Sequence, residues 1–81
     1  MTEDQVKALE RIAEAAAEYR RVERCLWVGS AGLLSCKLAA EELDAALAHR
    51  VGVWAYVGAR ERGLSDSEAR GDYEAATKAT L

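Results

Sequence analysis

Apolar residues recur at helical spacing along most of the chain. Val6, Leu9, Ile12, Ala13, Ala16 and Tyr19 follow a three-and-four rhythm, while Lys7, Glu10, Arg11, Glu14, Glu18 and Arg21 fall on the opposite face. Thr2 stands three residues before Gln5 with Met1 and Val6 on either side, the pattern of a capping box and hydrophobic staple. A first helix over about residues 3–28 with one buried side follows. Continued at about 100° per residue, its stripe meets Arg20 and Glu23 before Trp27, and these two charges are placed to pair across one turn.

From Leu33 onward, Cys36, Ala40, Leu43, Leu47, Val51, Trp54 and Gly58 advance by four, three, four, four, three and four residues. One long second helix over about 33–62 fits this rhythm. Val51, Val53, Ala55 and Val57 also alternate as a strand would, but no partner strand is in sight. Gly52 and Gly58 each cost a helix about 1 kcal/mol relative to alanine, so a kink or break would fall near Gly52. In ERGLSDSEA, Gly63 suits a left-handed C-cap, Ser65 an N-cap and Glu68 the reciprocal position, with Leu64 stapling against Ala69. The third helix, about 66–79, offers only Ala69, Tyr73, Ala76 and Thr80 to its neighbours and carries Gly71 in its middle, so it must dock to persist.

The uncharged stretch CLWVGSAGLLSC, residues 25–36, is shorter than the roughly 20 apolar residues of a membrane span. Helical spacing on both sides of Gly29–Gly32 makes those four residues the loop of an antiparallel αα-hairpin. The expected fold is all-α: a single helical domain over 1–81, built as a long hairpin braced by a short C-terminal helix, of which two copies would close a helical bundle. Cys25 and Cys36 lie at matching distances from the loop, open either to a disulfide or to two thiols; a cytosolic setting favours thiols.

The second helix carries another apolar line, Leu34, Leu38, Ala45, His49, Gly52 and Tyr56, away from Cys36, Leu43 and Leu47. The first helix is expected to cover the latter side and the third helix part of the former, near Gly52 and Tyr56. At about 1.5 Å per residue the third helix spans roughly 20 Å against roughly 45 Å for the second, which leaves Leu34 and Leu38 without a cover. Trp27, Leu34 and Leu38, beside the basic cluster Arg20, Arg21, Arg24 and Lys37, are therefore the candidate partner-binding residues. The same basic residues also complement the dipole at the end of the first helix, which needs no ligand.

Composition narrows the classes. Hydrophobic residues make up 51% of the chain, but seventeen of them are alanine and there is no Pro or Phe, so the core is thin and a second subunit would help it. A net charge of −3 with both signs interspersed supplies no basic face for nucleic acid. The charged start MTEDQVKALERI lacks a secretory pattern, and a cytoplasmic location is expected. One histidine, no G-x-S-x-G elbow, no phosphate loop and two cysteines distant from His49 argue against catalytic residues, a metal site or a cofactor. ALAHRVGVWAYV, residues 46–57, resembles the LA-x-x-LGVS-x-x-TV stretch of a helix-turn-helix. Ala48, Val51, Gly52, Val53 and Val57 take its small, apolar, turn-glycine and core positions, and Trp54 departs from its small N-cap residue. The resemblance implies a DNA-binding regulator. The residues otherwise point to a non-enzymatic protein-binding module that acts by occupancy, as an adaptor, an antitoxin-like neutraliser or a phage-type inhibitor, with a homodimer or another protein as partner.

Overall fold

In a computed structural model of the protein, which describes residues 1–27, 29 and 32–80, the chain forms α1 (Glu3–Trp27), α2 (Leu33–Glu61) and α3 (Asp66–Thr80), with no strand among the described residues. The expected all-α hairpin with a short third helix is what the chain adopts. Of the predicted loop and the last predicted residue of the first helix, positions 28, 30 and 31 lie outside the described residues.

The local signals that open and close the helices act as the sequence suggests. The Thr2 amide donates to Gln5 Oε1 at 2.8 Å and the Gln5 amide to Thr2 Oγ1 at 3.2 Å, a reciprocal box that satisfies two amides at the start of α1. At the end of α2, Gly63 takes φ +88°, and the Leu64 and Gly63 amides donate to the Ala59 and Arg60 carbonyls at 3.1 and 3.0 Å. This is a Schellman closure, and a glycine supplies its left-handed residue without a Cβ clash. The chain then re-enters helix through Ser65, whose hydroxyl donates to Glu68 Oε1 at 3.0 Å and accepts from the Glu68 amide at 3.3 Å.

Contrary to the break expected near Gly52, α2 runs through it unbroken. A Cβ at this position would stand 2.5 Å from Thr77 Oγ1 and 2.6 Å from Tyr73 Cδ2 and Cε2. Neither neighbour is free to retreat: Tyr73 Oη is 2.6 Å from His49 Nδ1, and the Thr77 hydroxyl donates to the Tyr73 carbonyl at 2.8 Å. Gly52 is the point where α3 closes on α2.

Both outer helices pack on α2 and neither packs on the other, so the three form a single layer whose principal extents are 52 × 23 × 12 Å. The seam of the hairpin is made of small residues at seven-residue steps: Ala8, Ala15 and Val22 on α1, Ala39, Ala46 and Val53 on α2. On another side of α2, Ala48, Gly52 and Ala59 are buried where α3 brings Ala69. Among the described residues no large side chain is fully buried. This corrects the expectation that α1 covers the Cys36, Leu43 and Leu47 line and buries its own Val6 and Leu9. Leu47, Val6 and Leu9 are all exposed, because alanines let two helices approach closely along a different line and leave the larger residues beside it.

Replacing Gly52 by Ala tests the crossing. The substitution gains about 1 kcal/mol of helix propensity but overpacks a pinned contact, so a net loss of about 1 kcal/mol or more is expected in urea unfolding followed by circular dichroism. A stabilised Gly52→Ala variant would show that α3 does not approach α2 this closely.

Candidate protein-binding faces

A one-layer molecule has two broad faces, and the side chains on them differ. Arg11 and Glu42, each four residues before a seam alanine, meet in a salt bridge at 3.0 Å and mark the polar side of the hairpin. On that side Asp4, Lys7, His49, Tyr56, Arg70 and Tyr73 line a groove to which all three helices contribute. His49 and Tyr73 pack edge to face with ring centroids 5.7 Å apart. The Tyr56 hydroxyl donates to Asp66 Oδ1. That bond holds the Asp66 carboxyl below the usual carboxylate range and pushes the Tyr56 phenol above its ordinary value, burial adding to the latter. The groove therefore works as the fastening of α3 to α2.

The opposite face is apolar. One residue on from each seam alanine, about 100° round its helix, stand Ala16 on α1 and Leu47 on α2. Because the helices are antiparallel, the same rotation from the seam reaches the same broad side on both. There Leu9, Ile12 and Ala16 of α1 run beside Leu43, Leu47, Val51 and Trp54 of α2, with Trp27 and Leu33 at the corner, 84% and 76% exposed. The Arg50 guanidinium lies 4.8 Å from the centroid of the Trp54 ring, so a cation caps one edge of the strip.

The predicted site residues divide between these sides. Trp27 shares a shallow depression with Arg20, Glu23 and Arg24 on the apolar side. Arg20, Arg21 and Arg24 also border a second shallow surface with alanines of α1. Arg21 is occupied by Glu18, with contacts of 2.5 and 3.1 Å. That hydrogen-bonded pair lowers the Glu18 pKa and raises that of Arg21. Arg20 makes no ion pair with Glu23, contrary to expectation, and among the described residues neither Arg20 nor Arg24 has a carboxylate partner. Leu34 and Leu38 stand one turn apart on the flank of α2 that faces α3 farther along, and they are 69% and 56% exposed. The three apolar candidates are thus near one end of the hairpin but not on one surface.

The cysteines sit on different sides too. Cys36 belongs to the apolar line and Cys25 to the other flank of α1, and both are thiols rather than a disulfide. Residues 46–57 lie wholly within α2, so the turn that the helix-turn-helix resemblance implies is not formed. Among the described residues no cluster of His, Cys, Asp or Glu is arranged to hold a metal ion, and no helix is long and apolar enough to cross a membrane. Reasoning from sequence missed the width of the apolar face, with Leu9, Leu33, Leu47 and Val51 outside the seam. The signal was there in the alanines at 8 and 15 and at 39 and 46, whose seven-residue step marks the closest helix contact. Comparison with protein-family models, with curated proteins and with solved structures yields no match to this chain.

The Tyr56 and Asp66 pair predicts a pH signature. Asp66 has a lowered folded-state pKa, so its contribution is present above the ordinary aspartate value of about 4 and is lost as pH falls through the folded value. Tyr56 has a raised one, so its contribution is present below about 10 and is lost as pH rises past that. The urea midpoint of the wild type should exceed that of Tyr56→Phe by a constant amount between about pH 5 and 9, and the gap should narrow on both sides. A gap that ignores pH would remove the hydrogen bond from the account of α3 docking.

Proposed function

We propose that the protein is a non-enzymatic protein-binding module that acts by occupancy, as an adaptor, an antitoxin-like neutraliser or a phage-type inhibitor of a protein complex, in the cytoplasm. The observation that carries this reading is the flank of α2 beyond the reach of α3. α3 has 15 residues and α2 has 29, and the uncovered part presents Leu34 and Leu38 to solvent. Nothing in the packing of the chain requires leucine there, since neither is buried against α1 or α3. Two leucines one turn apart form a ridge that fits an apolar groove on a partner, the usual way a helix presents itself to another protein. Arg20 and Arg24, without carboxylate partners among the described residues, lie with Trp27 at the same end of the hairpin but on its apolar side, apart from this flank.

Replacement of both Leu34 and Leu38 by Glu tests the reading. Since both positions are exposed, the urea midpoint should shift by no more than about 0.5 kcal/mol in stability. Affinity capture from cells of the source organism, read by mass spectrometry, should retain a specific protein with the wild type and lose it with the double variant. Equal capture by both would show that this flank is not the contact.

A further inference from the structure

The broad apolar face is a separate surface from the Leu34 and Leu38 flank, and its pattern identifies its occupant. We propose that it is covered by a second copy of the chain, stacked antiparallel with α2 against α2 on a two-fold axis at Leu47, so that two hairpins close a four-helix core with α3 outside it.

Area supports a partner of this size. A folded chain of 8.8 kDa exposes about 4,800 Å² by the usual scaling, whereas this one exposes 5642 Å². The excess is comparable to the roughly 800 Å² that each side of a stable protein interface buries. It follows from the single-layer packing, and stacking two layers face to face removes it.

Self-complementarity selects a second copy over a different protein. A two-fold interface requires one surface to fit itself, with residue i on j and j on i. The apolar line of α2 meets this requirement about its middle. From Leu47 the steps are four, three and four residues toward Leu43, Ala40 and Cys36, and the same toward Val51, Trp54 and Gly58. The axis therefore sets Leu43 on Val51, Ala40 on Trp54 and Cys36 on Gly58. The largest side chain of the line falls opposite an alanine, and Cys36 opposite a residue with no side chain, which is how facing layers interdigitate without voids. On α1, Leu9, Ile12, Ala16 and Tyr19 also advance by three, four and three in either direction.

Exposure agrees with the antiparallel sense, which brings Trp27, 84% exposed, toward the open end of the other copy, where Met1 is 82% exposed.

Light scattering over a concentration series should give twice the chain mass of 8.8 kDa. Leu47→Glu places two carboxylates on the axis and should raise the dimer dissociation constant at least about 100-fold while helical circular dichroism persists, whereas the Leu34→Glu, Leu38→Glu variant keeps the doubled mass. With Cys25 and Cys36 replaced by Ser, Leu47→Cys should cross-link to itself under oxidation and Leu33→Cys should not. A wild-type mass of one chain up to millimolar concentration overturns the proposal, whatever the double variant does to capture of another protein. A dimer that cross-links through position 33 and not 47 overturns the axis, and persistence of the dimer in Leu47→Glu overturns the face.

Discussion

The structure depends on helices that touch through alanine. Ala8, Ala15, Ala39 and Ala46, with Val22 and Val53, make the seam of the hairpin, and Ala48, Gly52, Ala59 and Ala69 make the contact with α3. Small residues permit close approach but contribute little apolar area each, and the larger side chains are left flanking the contacts rather than filling them. A chain of ordinary composition hides its leucines between helices. This one leaves Leu9, Leu33, Leu34, Leu38 and Leu47 exposed. The flat shape, the thin core and the apolar face are three consequences of one choice of residues along two lines.

Local grammar made most of the fold legible. Thr2 with Gln5, Ser65 with Glu68 and the left-handed Gly63 are short-range devices whose chemistry is complete within a few residues, so reading them needs no knowledge of what packs where. The antiparallel hairpin followed from two helical patterns on either side of an uncharged loop. Phase was harder. The run from Cys36 to Gly58 keeps a heptad-like apolar rhythm and suggested the seam, but periodicity reports that a face is apolar and not which neighbour lies on it. The weaker alanine lines define the seam because helix separation, not hydrophobicity, decides which faces meet.

Gly52 shows the same difference between local and tertiary evidence. By propensity it is a weak point in α2, and within the stretch that resembles a helix-turn-helix it takes the place of the turn glycine. In the folded protein it is the residue at which α2 admits Tyr73 and Thr77, so the helical penalty is offset by a contact that any side chain would obstruct. Among the candidate site residues, the exposure of Leu34 and Leu38 was readable because helix length is readable: a short α3 cannot shield a long α2. Grouping Trp27 with them was the misreading, since nearness to a loop does not specify a side, and about 100° of rotation separates one flank of a helix from the next.

The thin core also links folding to association. A ligand or second copy that binds only the folded chain adds stability in proportion to the logarithm of its concentration over its dissociation constant, about 2.7 kcal/mol at 100 times that constant. For a domain of this length, whose own core is composed mainly of alanine, such a contribution is a substantial share of a stability on the order of 5 kcal/mol. Association would then govern how much folded protein exists as well as which surface is covered. Were both proposed contacts made, the chain would have two such linkages. The broad face would respond to its own concentration and the Leu34 and Leu38 flank to that of another protein, so pairing would maintain the hairpin in a form competent for the second contact without the two surfaces touching.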